Sequence, residues 1–392
     1  MRDRLRTLIF HASGPPRWPR VVLDTLGGGR RLPVWLFPAG WWQNRYVRSL
    51  VSSGYAHLSY VVDWLEAFRE SSELDTEFCN VNNVLAYGRF LRRIAEYPLI
   101  IILHSAAGDD LAMVRRGAPW FQSRRGKLVV FFGNEYNLMP DKIGFAQRVA
   151  ADYIASQLPL PAARWLYSLS ARSTIIPAPA ALNPNVYRPT GGARPIDLGF
   201  RGDLYSFAIG DQERTEALRY FEEHATALGL VNDIKYTRYP RDQWSHFLNR
   251  CRGIVGAEAG TYYLERDDRT QRAVIEYQRQ HPTASFPEVH ARFFRNISTP
   301  ISGKAISSRH FEPIGTRTCQ ILLEGSYNGI LQADKHYLSL RKDLANIDDV
   351  VRRFKDEEQR RTIVEQAYEH VITEHTYHHR VATLLTAVGV TA

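Results

Sequence analysis

Short apolar runs separated by amphipathic stretches constrain this chain more than any other feature, because that alternation fits a parallel sheet joined by crossover helices. In the first half the runs are Val34–Phe37, Leu99–His104, Leu128–Phe132, Tyr153–Ala155 and Ser173–Ile176. Helical candidates lie between them at Ala56–Glu70, Val84–Glu96 and Phe145–Ala150. Leu99–Leu103 has no polar member, as expected of a central strand covered on both faces. The segment Asn183–Pro195 then packs three prolines and two glycines into thirteen residues and marks a domain boundary. Beyond it the alternation restarts, with strands expected at Ile196–Phe200, Ile234–Tyr239 and Gly253–Ala257. Helices are expected at Gln212–Leu228, Arg241–Arg250 and Glu312–Leu322, with a closing helix from about Glu357 to Val388. Tyr262–Ile306, rich in charged and aromatic residues, interrupts the pattern and reads as an insertion. The expected organisation is an α/β domain over 1–190, a second over 191–370 with its insertion at about 262–306, and a C-terminal helix over 371–392.

The chain has 392 residues, enough for two domains that each bury a core. Its 44% hydrophobic and 23% charged residues are those of a water-soluble globular protein, and no apolar run is long enough to cross a bilayer. The apolar stretch Leu8–Phe10 is too short for the core of a secretory signal, so a cytoplasmic location is expected. Cys79, Cys251 and Cys319 are far apart and form no metal-ligand or disulfide pattern. A formal charge of +9 favours an anionic partner, either a phosphorylated substrate or an anionic membrane surface. Nucleic acid is disfavoured because the one dense basic cluster, around Arg352–Arg361, alternates with acids as a solvated helix does.

Ligands of open parallel sheets gather outside the carboxyl ends of strands, where helix N-termini offer free N–H groups to anions. Three segments of the second half qualify. In Ser307–Gly315 (SSRHFEPIG), Ser308, Arg309 and Glu312 stand at an expected helix start; Glu312 reads either as a ligand to sugar hydroxyls or as an ordinary first-turn acid. In Ile196–Leu218, Arg201 and Gly202 open a loop leading to Arg214; both arginines could clamp a diphosphate or simply be solvated. In Gly253–Thr261, Glu258 is a single acid among small residues, suited to catalysis, to sugar hydroxyls or to capping a turn. In the first half, His104, Asp109, Asp110 and Glu135 follow strands and are candidates for a general base on an acceptor hydroxyl; His104 fits equally a hydrogen-bonded role between domains, and the aspartates fit helix caps. His370, His375, His378 and His379 lack a converging carboxylate pattern, so no metal site is expected there. Trp41–Trp42 reads as core-edge aromatics and Gly27–Gly29 as a turn.

The run RHFEPIGTRTCQILLEG resembles the donor-site segment of GT-B glycosyltransferases of the group-1 and CgeB-like kind. The segments YNGILQADKHYLSLRKDLANIDDVVRRF and AYEHVITEHTYHHRVATLL resemble the regions that follow it, and IIPAPAALNPNVYRP resembles the interdomain strand and linker. The resemblance implies two Rossmann-like domains facing across a cleft, with the C-terminal helix packing back toward the N-terminal domain. It implies a nucleoside diphosphate sugar as donor, held by Glu312, Arg201, Arg214, Lys304, Arg309, Ser308 and Gly202, with no cofactor and no required metal. Glu258, His104, Asp109 and Glu135 are the catalytic candidates, and a saccharide or lipid-linked glycan is the implied acceptor. Where many retaining relatives place a second glutamate, this chain has Lys304, so retention of configuration is not carried over. The alternatives are another nucleotide-sugar reaction such as epimerisation, or a non-catalytic module that binds nucleotide sugar or glycan.

Overall fold

The computed structural model describes residues 4–12, 59–108, 111–298 and 300–390. The expected strand Val34–Phe37, Trp41–Trp42, Gly27–Gly29 and the aspartates Asp109 and Asp110 lie outside the described residues. Two compact units are present, as the two-domain α/β expectation requires. The first takes Met1–Ser156, Tyr167–Ile176 and Leu385–Ala392; the second takes Gln157–Leu166 and Pro177–Leu384.

The first unit holds a six-stranded sheet of β1 (Leu5–His11), β2 (Leu74–Asn80), β3 (Leu99–Ile102), β4 (Lys127–Phe131), β5 (Tyr153–Ser156) and β6 (Thr174–Pro177). Its order is β2-β1-β3-β4-β5-β6, and β1 pairs in parallel with both β2 and β3. The second holds β7 (Ile196–Arg201), β8 (Asn232–Lys235), β9 (Cys251–Gly256), β10 (Cys319–Leu323) and β11 (Leu338–Leu340), in the order β11-β10-β9-β7-β8. Counted within each unit, the first five strands follow the same spatial order, second-first-third-fourth-fifth. The order therefore reverses between β1 and β3 in one unit and between β7 and β9 in the other, and these are the points where a doubly wound sheet receives ligands.

Strand alternation builds the two faces of the second sheet. Ile254 and Leu322 pack with Trp244, Phe311 and Val371, while their neighbours Val255 and Ile321 pack with Phe221, Val350 and Phe354 on the other face. Both faces are apolar because helices cover both. The insertion folds as helices Arg269–Gln280 and Phe286–Phe293 around a small cluster of Ala208, Val274, Val289 and Phe294.

Several elements differ from the sequence expectation, and strands β2 and β11 were not anticipated by it. The helix expected over Glu312–Leu322 is a helix at Ser308–Gly315 followed by the strand β10. Pro313 lies inside this helix, and Arg317 in a left-handed conformation (φ 53°) turns the chain into Cys319–Leu323, whose five residues are all buried. The strand expected over Ile234–Tyr239 is Asn232–Lys235, stopped ahead of Pro240. The closing helix is two, Glu357–Glu374 and Tyr377–Ala387, with Leu182 pairing to Thr376 at the break. The Leu8–Phe10 run lies in the central strand β1. The proline- and glycine-rich Asn183–Pro195 is tied down in the second unit: Ser245 and Asn249 bond to Val186, Arg188 and Thr190, and Tyr187 is buried in the core. The division between units falls earlier, at Ile176/Pro177. From Leu385 onward the final helix groups with the first unit, where Lys127 Nζ donates to Val388 O (2.6 Å).

Candidate functional site

The carboxyl ends of β7, β9 and β10 and the start of helix Ser308–Gly315 meet at the second unit's switch point. His310 makes the junction. Its Nε2 donates to Ala257 O at the exit of β9 (3.1 Å), and its Nδ1 accepts from the Ser307 backbone N–H (3.0 Å). Burial pushes the His310 pKa down to about 4, so the ring is neutral and the tautomer follows from the two bonds. The helix N-terminus is thereby fixed beside the β9 loop.

That loop carries Glu258. Its Oε1 accepts from the Tyr327 N–H (2.7 Å) and from Ser326 Oγ (3.1 Å), both just after β10. Gly325 makes room for it: a Cβ there would stand 2.5 Å from Glu258 Oε2. Beyond Glu258, Ala259 forms an antiparallel bridge with Ala305, bringing the adjoining Lys304 over the site's rear wall. Lys304 is buried in an ion pair with buried Asp211, and its ammonium lies 4.5 Å from the Tyr262 ring centroid. In this arrangement its charge is spent on Asp211.

Three other guanidinium groups stand closer to where an anion would enter. Arg214 lies 3.7 Å over Tyr205 and donates to Asp203 O (2.7 Å). Arg238, just after β8, bonds through Nε to Asp203 Oδ2 (2.6 Å). Arg309 stacks 4.2 Å over Trp244, and its Nη1 has no hydrogen-bond partner among the described residues. Burial lowers the Arg309 pKa, Glu312 opposes that shift, and Arg238 and Arg214 add to it, so the three cations act on one another. Glu312 is almost fully buried (1% exposed); Trp244 Nε1 donates to its Oε2 at 2.6 Å, and Arg309 Nε lies 3.9 Å from the same oxygen. Arg309 thus covers Glu312, and a ligand that reaches this carboxylate moves the guanidinium aside. Ser308 is buried in the first turn of the helix, and Gly202 follows β7 with the Phe200 ring 3.2 Å from where its Cβ would be. Arg201 faces elsewhere: it is buried, donates to Asp233 (2.6 Å) and lies 4.0 Å over Phe247. It holds β7 to β8 through Asp233, with its Nε lacking a hydrogen-bond partner among the described residues.

Residues 241–386, which supply helix Arg241–Asn249, β9, the Glu258 loop, Arg309, Glu312 and β10, match the family described as glycosyl transferase-like. The matched stretch lies almost wholly in the second unit. No curated protein matches the chain in sequence. Among solved structures, Anabaena Alr3699/HepE in complex with UDP and glucose is 12% identical, with a TM-score of 0.48 over 98% of this chain and 100% of that one. TarM is 9% identical, with a TM-score of 0.45 over 79% of this chain and 58% of that one. The trehalose-6-phosphate synthase OtsA is 9% identical, with a TM-score of 0.43 over the whole of both chains.

The first unit places two of the remaining candidates after its own strands. His104, beyond β3, is buried and stacks on Tyr60 (4.8 Å between centroids). Neither ring nitrogen has a hydrogen-bond partner among the described residues, and burial pushes its pKa down to about 3. Glu135, beyond β4, is buried and accepts from Ser156 Oγ (2.6 Å) and Tyr167 OH (2.8 Å). Its loop wraps the Lys142 ammonium, which donates to Asn134 O and Asn137 O.

Sequence reasoning missed Arg238, Asp203, Trp244, Asp211 and His310. Arg238 follows β8 and was reachable by the same strand-end rule that found Arg201. Ser307-x-x-His310 has the spacing of a capping box with histidine in the usual glutamate position. Trp244 and Asp211 meet their partners across 68 and 93 residues, and no local signal announces them. Against the expectation that no carboxylate converges on the C-terminal histidines, Glu374 comes together with His370 and His375, their ligand atoms lying within 4.8 Å of one another. His375 Nδ1 accepts from Arg380 Nη2 (3.0 Å), and burial pushes the ring's pKa down to about 4, so its other nitrogen carries the proton and presents no lone pair to a metal.

Proposed function

We propose that this chain transfers a sugar from a nucleoside diphosphate sugar to a hydroxyl of a saccharide or lipid-linked glycan acceptor. One observation carries the reading. Three guanidinium groups, Arg214, Arg238 and Arg309, stand at the β7/β9 switch point beside a helix N-terminus, with Asp203 bonded to two of them and Glu312 alongside the third. In the transfer the acceptor oxygen attacks the anomeric carbon, the bond from that carbon to the diphosphate oxygen breaks, and the nucleoside diphosphate leaves with the electron pair. Charge grows on the diphosphate as it leaves, so preorganised cations stabilise the transition state more than the ground state. Arg309 and Arg214 would take the diphosphate, Glu312 the ribose hydroxyls once Arg309 swings onto the phosphates, and Ser308 N–H a phosphate oxygen. Lys304 and Arg201 would act through Asp211 and Asp233, as positioning residues.

Glu258, held by Tyr327 and Ser326 beside the exit of β9, would meet sugar hydroxyls, and His104 or Glu135 would receive the acceptor proton. Asp109 stays a candidate for the same step. The acceptor class, a role in cell-surface polysaccharide assembly, and peripheral association with an anionic inner membrane face rest on the +9 charge and on the sequence resemblance. Nucleotide release from a panel of sugar nucleotides, with and without saccharide acceptors, tests the proposal. Release that depends on acceptor is expected. Equal release without acceptor would mean hydrolysis or epimerisation, and tight binding with no release would mean a binding module.

A further inference from the structure

The second sheet has another cationic region, at the opposite end of its strands. A cavity of about 460 Å³ is lined there by Arg194, Arg252, Arg317, Lys355, Arg360 and Arg361. Glu357 and Glu365 are its only acids. Arg194 precedes β7, Arg252 is the second residue of β9, and Arg317 precedes β10. The candidate donor site lies beyond the other ends of these same strands, roughly 15–20 Å away at about 3.3 Å per residue. One donor molecule bound at the switch point does not fill both.

The six cations are not equally neutralised. Arg252 pairs with Asp197 (3.0 Å) and Arg317 with Glu365 (3.1 Å). Arg194 is held rigidly by neutral oxygens: Nη1 donates to Cys251 O (2.7 Å) and Thr318 Oγ1 (3.0 Å), and Nη2 to Thr316 O (2.6 Å). Arg360 is held likewise, donating to Phe354 O (2.6 Å) with its guanidinium against the Phe354 ring. Burial lowers the Arg194 pKa and repulsion from Arg360 adds to the shift. Lys355 and Arg361, both exposed, have no acidic partner among the described residues. Two fixed guanidinium groups and two free cations therefore surround a space within the size range of small-molecule sites. Guanidinium forks of this kind match phosphate oxygens in pairs, and a single phosphate would leave most of the cavity and its charge unused.

We propose that this cavity is a second anion site, distinct from the donor site, that binds a ligand bearing two or more phosphate groups. The source is either a soluble oligophosphate or a phosphate-bearing lipid headgroup, and the site is independent of the glycosyl-transfer reading. The test uses the full chain carrying Arg214→Ala and Arg309→Ala, which removes donor-side cations, with and without Lys355→Glu and Arg361→Glu. Calorimetric titration with sodium tripolyphosphate, and cosedimentation with vesicles containing cardiolipin, whose headgroup carries two phosphates, against phosphatidylcholine vesicles, read the two sources. The charge reversals are expected to weaken one of these interactions at least tenfold while leaving the melting temperature within a few degrees. Loss of tripolyphosphate binding alone identifies a soluble ligand, and loss of cardiolipin binding identifies a headgroup. If charge reversal lowers the melting temperature, Lys355→Met with Arg361→Met repeats the comparison on a folded chain. Binding that survives these substitutions, or no binding to either probe by the parent chain, overturns the proposal.

Discussion

At the switch point of the first unit, between β1 and β3, His104 is neutral, buried against Tyr60 and bonded through neither nitrogen to any described residue. At the equivalent point of the second unit, between β7 and β9, Lys304 and Asp211 form a buried ion pair, and Arg214, Arg238 and Arg309 crowd together beside a helix start. The strand order is the same in both sheets, so topology selects where a ligand meets each unit. The side chains differ: the second point gathers cations, whereas among the described residues the first presents buried His104 stacked on Tyr60. Shared architecture thus carries the location of function and leaves its chemistry open.

The largest contrast between the two points should appear on removing charge. Asp211→Ala leaves Lys304 buried and uncompensated, and about 3–5 kcal/mol of stability should be lost in urea unfolding. The double change Asp211→Leu with Lys304→Met should recover most of it, because removing both partners removes both desolvation costs. His104→Leu should change stability far less, since no described hydrogen bond is broken. Equal losses at the two points would break the comparison.

Ligand binding sharpens it next. Arg309→Ala should weaken binding of a nucleoside diphosphate by about 10–100-fold, the value of one or two hydrogen bonds to a charged group. The dependence on salt should become shallower at the same time. His104→Leu should leave that affinity within about twofold. Calorimetric titration at two ionic strengths reads both, and unchanged affinity in Arg309→Ala would remove the guanidinium cluster from the donor site.

The contrast also explains what could be read in advance. Uniformly apolar strands such as Leu99–Ile102 and Leu128–Phe131 were legible because a central parallel strand has no polar face to hide. Cys319–Leu323 was read as helix because a buried strand and the inner face of a helix are equally apolar over five residues, and the boundary depends on Arg317 adopting a left-handed turn. Glu312 and Arg309 were legible as polar residues near a helix start. That Trp244 bonds to Glu312, and that Lys304 and Arg201 are held by Asp211 and Asp233, depends on contacts of long sequence separation. A strand-end rule finds the charged residues of such a site; it cannot tell which are already neutralised.

The last contrast is acid sensitivity, and it reaches both switch points. His104 and His310 have pKa values pushed down to about 3 and about 4. A histidine in the unfolded chain takes up its proton near pH 6.5. As pH falls from about 6.5 the unfolded state therefore binds more protons than the folded state, until about pH 4 for His310 and about pH 3 for His104. Stability should fall through that window by up to about 1.4 kcal/mol per pH unit for each ring, and should be level with respect to these two above it. His336 and His375, both pushed down to about 4, add to the slope. Urea unfolding at pH 7.5, 6.5, 5.5 and 4.5 measures it. His104→Leu should remove one ring's share of the slope without altering nucleotide affinity. His310→Asn should remove a similar share and also loosen the helix start, lowering nucleotide affinity. If both substitutions had the same effect on affinity, the two switch points would not differ in the way their side chains require.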